Sequence, residues 1–339
     1  MIERSYDANH KGAGQGPDTL MATSDIVELV KELSRKPAQP AFLSPRMLKN
    51  RFLISLSLDQ RRLEASKPHY QENPYLAAFF IARQATFSLP TSPCEIDRMK
   101  RERLFYDQAL QKFRRKIKAL TSEDWFKIRI TTLQKAKLNR EQSVSYLIDG
   151  IFRSHARVLA IRIDLYLIPS FRNLLLPKDQ LEVMQHFWAA LRRDIYTANF
   201  APPNLGFICA LEYGHQAGFH FHLLVFFDGS KHQQDINLAK LIGNHWKQKI
   251  TKGFGWYHNC NAKKAKYKKL GIGKIDYWDS EKLENLKSAA NYLAKIDYYI
   301  DSHRGESRTF FRSNIPKPIA KSGRPRRKLP PPLITHENQ

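Results

Sequence analysis

The chain has 339 residues, with 56 Lys and Arg against 32 Asp and Glu, a formal charge of +24. A surplus that large is costly in self-repulsion unless a polyanion shares the surface, which points to nucleic acid. No stretch approaches the roughly 18 apolar residues of a membrane span. The polar N-terminus lacks a signal peptide's apolar core, and Cys94, Cys209 and Cys260 form no CxxC pair, so a protein of a reducing cytoplasm, without a membrane partner, is expected.

Residues 1–40 carry Gly, Pro, Ser and charge without periodicity and read as a flexible lead. Residues 41–155 read as a helical extension. Within it Leu104, Phe105, Leu110, Phe113 and Ile117 recur at helical spacing, with basic residues elsewhere on the surface. That basic surface fits a solvated face or a DNA contact.

From residue 156 to 303 the pattern changes to strands alternating with helices. Arg157–Leu167 is β-rich, and Lys178–Asn199 has helical spacing after a Pro. Gly206–Tyr213 and Phe219–Phe227 read as two strands joined by the turn Gly214–Gly218. Asp235–Ile250 reads as a helix, short strands follow near Trp256 and Ile272–Trp278, and Asp279 or Ser280 caps a helix running to Ile300. The order β-α-β-β-α-β, then a helix, predicts an α+β fold: an antiparallel sheet of the split βαβ (ferredoxin- or RRM-like) type with flanking helices. Residues 304–339 form a basic, Pro-rich tail, expected to be extended and mobile.

The hairpin carries the candidate chemistry. His220 and His222, two apart on a strand, point to the same face. If the turn pairs Tyr213 with Phe219, Glu212 lies directly opposite His220, with Cβ atoms about 4.5–5.5 Å apart. Two imidazoles and a carboxylate then form a mixed N/O site that suits Mn²⁺ or Mg²⁺ and does not exclude Zn²⁺. A lone His-x-His is weak by itself, but this group sits in an otherwise apolar hairpin, where unpartnered polar side chains would be costly. His215, His232, His245 and His258 are expected not to be ligands, and Cys209 and Cys260 to be small buried residues.

On the last helix Ser288, Tyr292, Lys295 and Tyr299 share a face. Tyr292, with Lys295 one turn away, is either an ordinary amphipathic-helix aromatic or a nucleophile. Only the combination with the hairpin favours the second. Lys263, Lys264, Lys266, Lys268 and Lys269, with Tyr267 interleaved, fit a single-stranded nucleic-acid groove as well as a solvated lysine loop. Arg324, Arg326, Arg327 and Lys328 fit a non-specific tether.

The segments EYGHQAGFHFHLLVFFDGSKH, GIGKIDYWD and AANYLAKIDYY, in that order, resemble the replication initiators of inoviruses (filamentous phages), members of the His-hydrophobic-His (HUH) endonuclease class. The resemblance spans residues 157–312. It implies an origin-specific, rolling-circle nickase that joins the 5′-phosphate of single-stranded DNA to a tyrosine. It makes Glu212, His220 and His222 the metal ligands, Tyr292 the nucleophile and Lys295 its helper. The expected partner is a single-stranded or locally melted origin, with a host helicase as a further partner.

VLAIRIDL takes the place of the Thr-rich first motif of many such initiators, so Arg162 and Asp164 stay open between a salt bridge and a functional role. Ile296 stands where two-tyrosine initiators often carry their second tyrosine, which favours a single-tyrosine mechanism with Tyr298 and Tyr299 in reserve. A transposase or relaxase of the same class, or a catalytically silent, prophage-derived DNA-binding regulator, are the rival readings.

Overall fold

The computed structural model describes residues 23–36, 39–41, 43–56, 73–87, 93–214, 217–295 and 308–315. The chain divides between Phe126 and Lys127 into two units.

The first unit is helical: α1 (Thr23–Ser34), α2 (Pro45–Leu56), α3 (Pro74–Thr86), α4 (Pro93–Arg101) and α5 (Arg103–Ser122). Phe113 lies at its centre, with ring centroids 5.5 Å from Phe52 and 5.8 Å from Phe79, all three fully buried. Two expectations change here. Residues 23–34 are a helix rather than part of a flexible lead, because Ile26, Val27, Leu29, Val30 and Leu33 form a buried face. In α5 the inward face is Tyr106, Phe113, Ile117 and Leu120, while Leu104 is exposed.

The second unit holds the sheet. Its elements are α6 (Asp124–Ser154, from Lys127 onward), β1 (Arg157–Leu167), the single turn α7 (Pro169–Arg172), α8 (Pro177–Thr197), β2 (Gly206–Gly214) and β3 (Gly218–Asp228). Then come α9 (Asp235–His245), a π-helical turn at Trp246–Ile250, β4 (Gly255–Asn259), a 3₁₀ turn at Asn261–Lys266, β5 (Gly273–Asp276), α10 (Ser280–Leu293) and β6 (Phe310–Arg312).

The sheet is antiparallel in the order β4-β1-β3-β2-β6, with β5 also pairing β1. Strand β3 lies between β1 and β2, which is the expected split βαβ arrangement within an α+β fold. Gly218 opens β3 at φ +65°, and a Cβ there would crowd the Arg172 side chain. The left-handed backbone conformation favours glycine at this turn.

Alternation assigns each strand residue to a face. Odd-numbered residues of β1, β2 and β3, among them Leu159, Ile161, Ile163, Cys209, Phe221 and Leu223, join Trp188 and Leu191 of α8 and Ile242 of α9 in one core. Fully burying one such side chain contributes roughly 1.5–3 kcal/mol. On the opposite face Val158, Ala160, Ile208, Leu224 and Phe226 pack with Val144, Leu147 and Ile151 of α6 and with Leu286, Ala290 and Leu293 of α10.

Two boundaries differ from expectation. The last helix stops at Leu293, with Ala294 as its cap. Lys295 therefore lies past the helix end, and residues 296–300 fall outside the described residues. Within the tail expected to be mobile, Phe310–Arg312 is a strand on the outer edge of β2. Phe310 and Phe311 fill opposite faces of the sheet there, and the edge gains backbone partners such as Leu211 N–H to Thr309 C=O at 2.8 Å.

Candidate metal centre and its tyrosine

The polar site arises where the α6–α10 face of the sheet changes character. Along β1 the residues directed to that face run Val158, Ala160, Arg162, Asp164, Tyr166: apolar under the helices, then charged and aromatic. The antiparallel β3 begins on the polar side with His220 and His222 and continues as Leu224 and Phe226. The pairing sets Glu212 opposite His220, His222 opposite Asp164, and Asp164 opposite His258. Four strands thus deliver one polar row.

The geometry is compact. One donor atom from each of Glu212, His220 and His222 lies within 4.8 Å of the other two, and all three residues are buried. His220 Nδ1 lies 3.0 Å from the Gly218 carbonyl, so the neutral ring donates there and its Nε2 carries the lone pair. Tyr166 stacks on His220 with centroids 5.0 Å apart and on Trp256 at 4.3 Å, which holds the ring's plane. His222 Nδ1 meets Asp164 Oδ1 at 2.6 Å, and its Nε2 lies 3.4 Å from Glu212 Oε2. Glu212 Oε2 also accepts from Lys295 Nζ at 3.1 Å, while Oε1 is buried without a hydrogen-bond partner among the described residues.

Charges follow from these contacts. Burial alone would raise the Glu212 carboxyl, but His222 and Lys295 outweigh it and bring it to about 2. Burial, together with His222, lowers His220 to about 4, so the ring is neutral at pH 7. Burial also opposes charge on His222, yet Asp164 and Glu212 override it and raise the group to about 9. Asp164 is held well below the carboxylate range, against its burial, by His222 and Arg162.

These residues fit a divalent cation. Glu212 Oε1 is an ionised, buried oxygen with an open valence, a costly state unless something fills it. The neutral His220 offers Nε2 on the same side, and a cation would take the place of the His222 proton. Asp164 supplies what a ligating histidine commonly has, a carboxylate on its other nitrogen.

The tyrosine adjoins this centre through one cation. Lys295 Nζ donates to Tyr292 Oη at 2.7 Å as well as to Glu212, so the phenol is two hydrogen bonds from the carboxylate. Burial disfavours charge on Lys295, but Glu212 and Tyr292 raise its pKa above the ordinary lysine range. The pairing survives the early helix end because the chain turns at Ala294, with Lys295 N–H 3.3 Å from the Tyr292 carbonyl.

Other expected residues divide. His245 pairs with Asp194 at 2.8 Å and stacks on Phe200, and His232 makes a ring contact with Phe227. His258, expected to be apart, is in the row: with Asp164 and Cys260 it forms a second group whose polar atoms lie within 4.8 Å. Burial, with Asp164 beside it, pushes the Cys260 thiol up, so its S–H donates to Asp164 Oδ2 at 3.5 Å. Cys209 is a buried core residue, as expected. Arg162, 3.6 Å from Asp164, completes the surroundings of that carboxylate.

Lys263, Lys266, Lys268 and Lys269 are exposed, whereas Lys264 is bound to Asp235 at 2.6 Å. Tyr267 packs against the helix-covered core, and burial raises its phenol to about 12. Tyr267 is nevertheless only half-buried there. His215, Tyr298, Tyr299 and Arg324–Lys328 lie outside the described residues.

A model of the YagK/YfjJ C-terminal domain family matches residues 121–313, more than half of the chain. The chain belongs to that family. The YagK/YfjJ domain is a prophage-related one, and its match takes in the sheet, the three candidate ligands, Asp164, Tyr292 and Lys295. No curated protein and no solved structure matches the chain. Among the described residues, no helix is long and apolar enough to cross a membrane.

Proposed function

We propose that this YagK/YfjJ-family protein is a metal-dependent endonuclease and strand transferase that nicks and rejoins single-stranded DNA through a 5′-phosphotyrosine, as a rolling-circle replication initiator does. The observation that carries the reading is the link Tyr292–Lys295–Glu212, which sets a phenol beside a buried Glu-His-His cluster. The surplus of 24 positive charges and the resemblance of the ordered motifs support DNA as the substrate.

Glu212, His220 and His222 would hold Mn²⁺ or Mg²⁺, which supplies polarisation of the phosphorus–oxygen bonds. A phenol with a pKa near 10 needs help at neutral pH. The Lys295 ammonium, hydrogen-bonded to Tyr292 Oη, favours the phenolate and balances phosphate charge. The phenol proton passes to water, the Oη–P bond forms, the P–O3′ bond breaks, and the departing 3′-oxygen takes a proton from water. Attack by a 3′-hydroxyl on the phosphotyrosine reverses these steps and rejoins the strand.

The test is incubation with Mn²⁺ and single strands from the flanking DNA of the protein's own locus, followed by denaturing electrophoresis and peptide mapping. The expected result is a covalent adduct on Tyr292, absent with chelator and in Tyr292→Phe. An adduct on Tyr298 or Tyr299, or cleavage that persists in Tyr292→Phe, overturns the assignment.

A further inference from the structure

A cavity of about 300 Å³ opens between α6 and the β6 edge, lined by Asn139, Arg140, Ser143, Arg308, Thr309 and Arg312 around the ring of Phe310. Among these described lining residues there are three guanidinium groups and no carboxylate. Two of the guanidinium groups are held by the backbone of their own segment: Arg308 Nε donates to the Phe310 carbonyl and Arg312 Nη1 to the Ser313 carbonyl, each at 2.8 Å. The third, Arg140, is 5.6 Å from the centroid of the Phe310 ring. A guanidinium has five N–H donors, so one bond to the backbone orients the fork without consuming it. Three guanidinium groups around one cavity give it a positive potential that attracts an anion.

The position of the cavity identifies the anion. The register Ile208↔Arg312 and Ala210↔Phe310 puts Arg312 and Phe310 on the face of the sheet that carries Glu212. Thr309 accepts from Leu211 N–H, so the pocket wall is bonded to the residue before the ligand Glu212. We propose that Arg140, Arg308 and Arg312 form a phosphate-binding subsite, which holds a backbone phosphodiester of the same single strand that reaches the metal centre. The subsite rests on the single-strand reading above. Planar guanidinium forks grip two phosphate oxygens at once, and Ser143 and Thr309 add hydroxyl groups at the rim. With the pocket on the β6 side of Glu212 and the exposed lysines following β4 at the opposite edge, the strand would cross the sheet over the centre.

Labelled oligothymidylate, titrated at several salt concentrations without metal, tests the pocket separately from catalysis. The variant Arg140→Gln/Arg308→Gln/Arg312→Gln should bind about tenfold or more weakly, as expected for lost charge-assisted hydrogen bonds. Its plot of log affinity against log salt should flatten by about 0.7 for each phosphate contact removed. Arg308→Gln alone, at an exposed side chain, should shift both in the same direction and guards against a folding defect in the triple variant. The charge-conserving Arg308→Lys/Arg312→Lys should keep the slope and lose part of the affinity. A triple variant that melts like wild type and binds the oligonucleotide with unchanged affinity and slope overturns the subsite. So does a wild-type protein that binds inorganic phosphate here while the oligonucleotide ignores the substitutions, since the pocket would then serve a free anion. Oligonucleotide binding that depends on the three arginines, without any adduct at Tyr292, supports the subsite and sinks the nicking reading alone.

Discussion

On one face of the sheet β1 and β3 present Leu159, Ile161, Ile163, Leu165, Phe221, Leu223 and Val225, all buried against apolar side chains of α8 and α9. On the other face the same strands present Val158, Ala160, Leu224 and Phe226 under two helices, then Arg162, Asp164, His220 and His222. The first face maximises apolar burial at every position. The second gives up that gain over half its area and assembles buried charges that must satisfy one another. The difference teaches where stability and function separate: substitutions on the first face should cost folding, and those on the polar half should cost binding while leaving the fold in place.

The largest effect is expected from His222→Ala, which removes one of three candidate ligands and should weaken Mn²⁺ binding by more than about a hundredfold in calorimetric titration. The metal-free variant should remain folded with a lowered chemical-denaturation midpoint, because Asp164 and Glu212 lose the buried cation between them. A collapse of stability with His222→Ala would erase the contrast between the faces.

Phe221→Ala, one residue away and on the other face, should do the reverse. Truncating a fully buried phenylalanine costs about 3–5 kcal/mol, read as a lower denaturant midpoint, with Mn²⁺ affinity retained in the folded fraction. Lost metal binding in protein that is still folded would show that the two faces are coupled through the strand.

Asp164→Asn sharpens the comparison within the polar half. It keeps the shape of the side chain but not the charge that orients His222, and should lower Mn²⁺ affinity about 10–100-fold without removing a ligand. Affinity equal to wild type would make Asp164 only the partner of Arg162.

The mildest test is pH. His222 is raised to about 9 in the metal-free protein by Asp164 and Glu212, against the pull of its burial. Its contribution to stability is therefore fully present below about 6.5, the unfolded value, and is lost as pH rises through 9. Metal-free protein should lose stability over that window, and saturating Mn²⁺ should restore it. A binding-coupled release of protons, seen as buffer-dependent calorimetric heat, should accompany the restoration at pH 7. Heats independent of the buffer would show that the cation does not displace the His222 proton.

Much was open to reading in the sequence because short-range rules govern it. A five-residue link between two apolar strands sets a hairpin register by itself, so the Glu212–His220 pairing found in the structure could be expected. The strand and helix order, hence the split βαβ fold, follows from periodicity in the same way. What lay beyond was decided by packing between distant segments. Asp164 meets His222 and His258 only because β1 lies between β3 and β4, a neighbour relation that no local spacing encodes. The Lys295–Tyr292 contact was expected along a continuing helix and instead forms across its end, because Ala294 caps the last turn. Phe310–Arg312, read as tail by its flanking basic and Pro residues, becomes a strand because β2 has an unpaired edge and two cores accept its phenylalanines. Local sequence specifies which residues share a strand face or a helix turn. Which faces then meet depends on the free energy of burying them together, and that is settled only when the whole sheet closes.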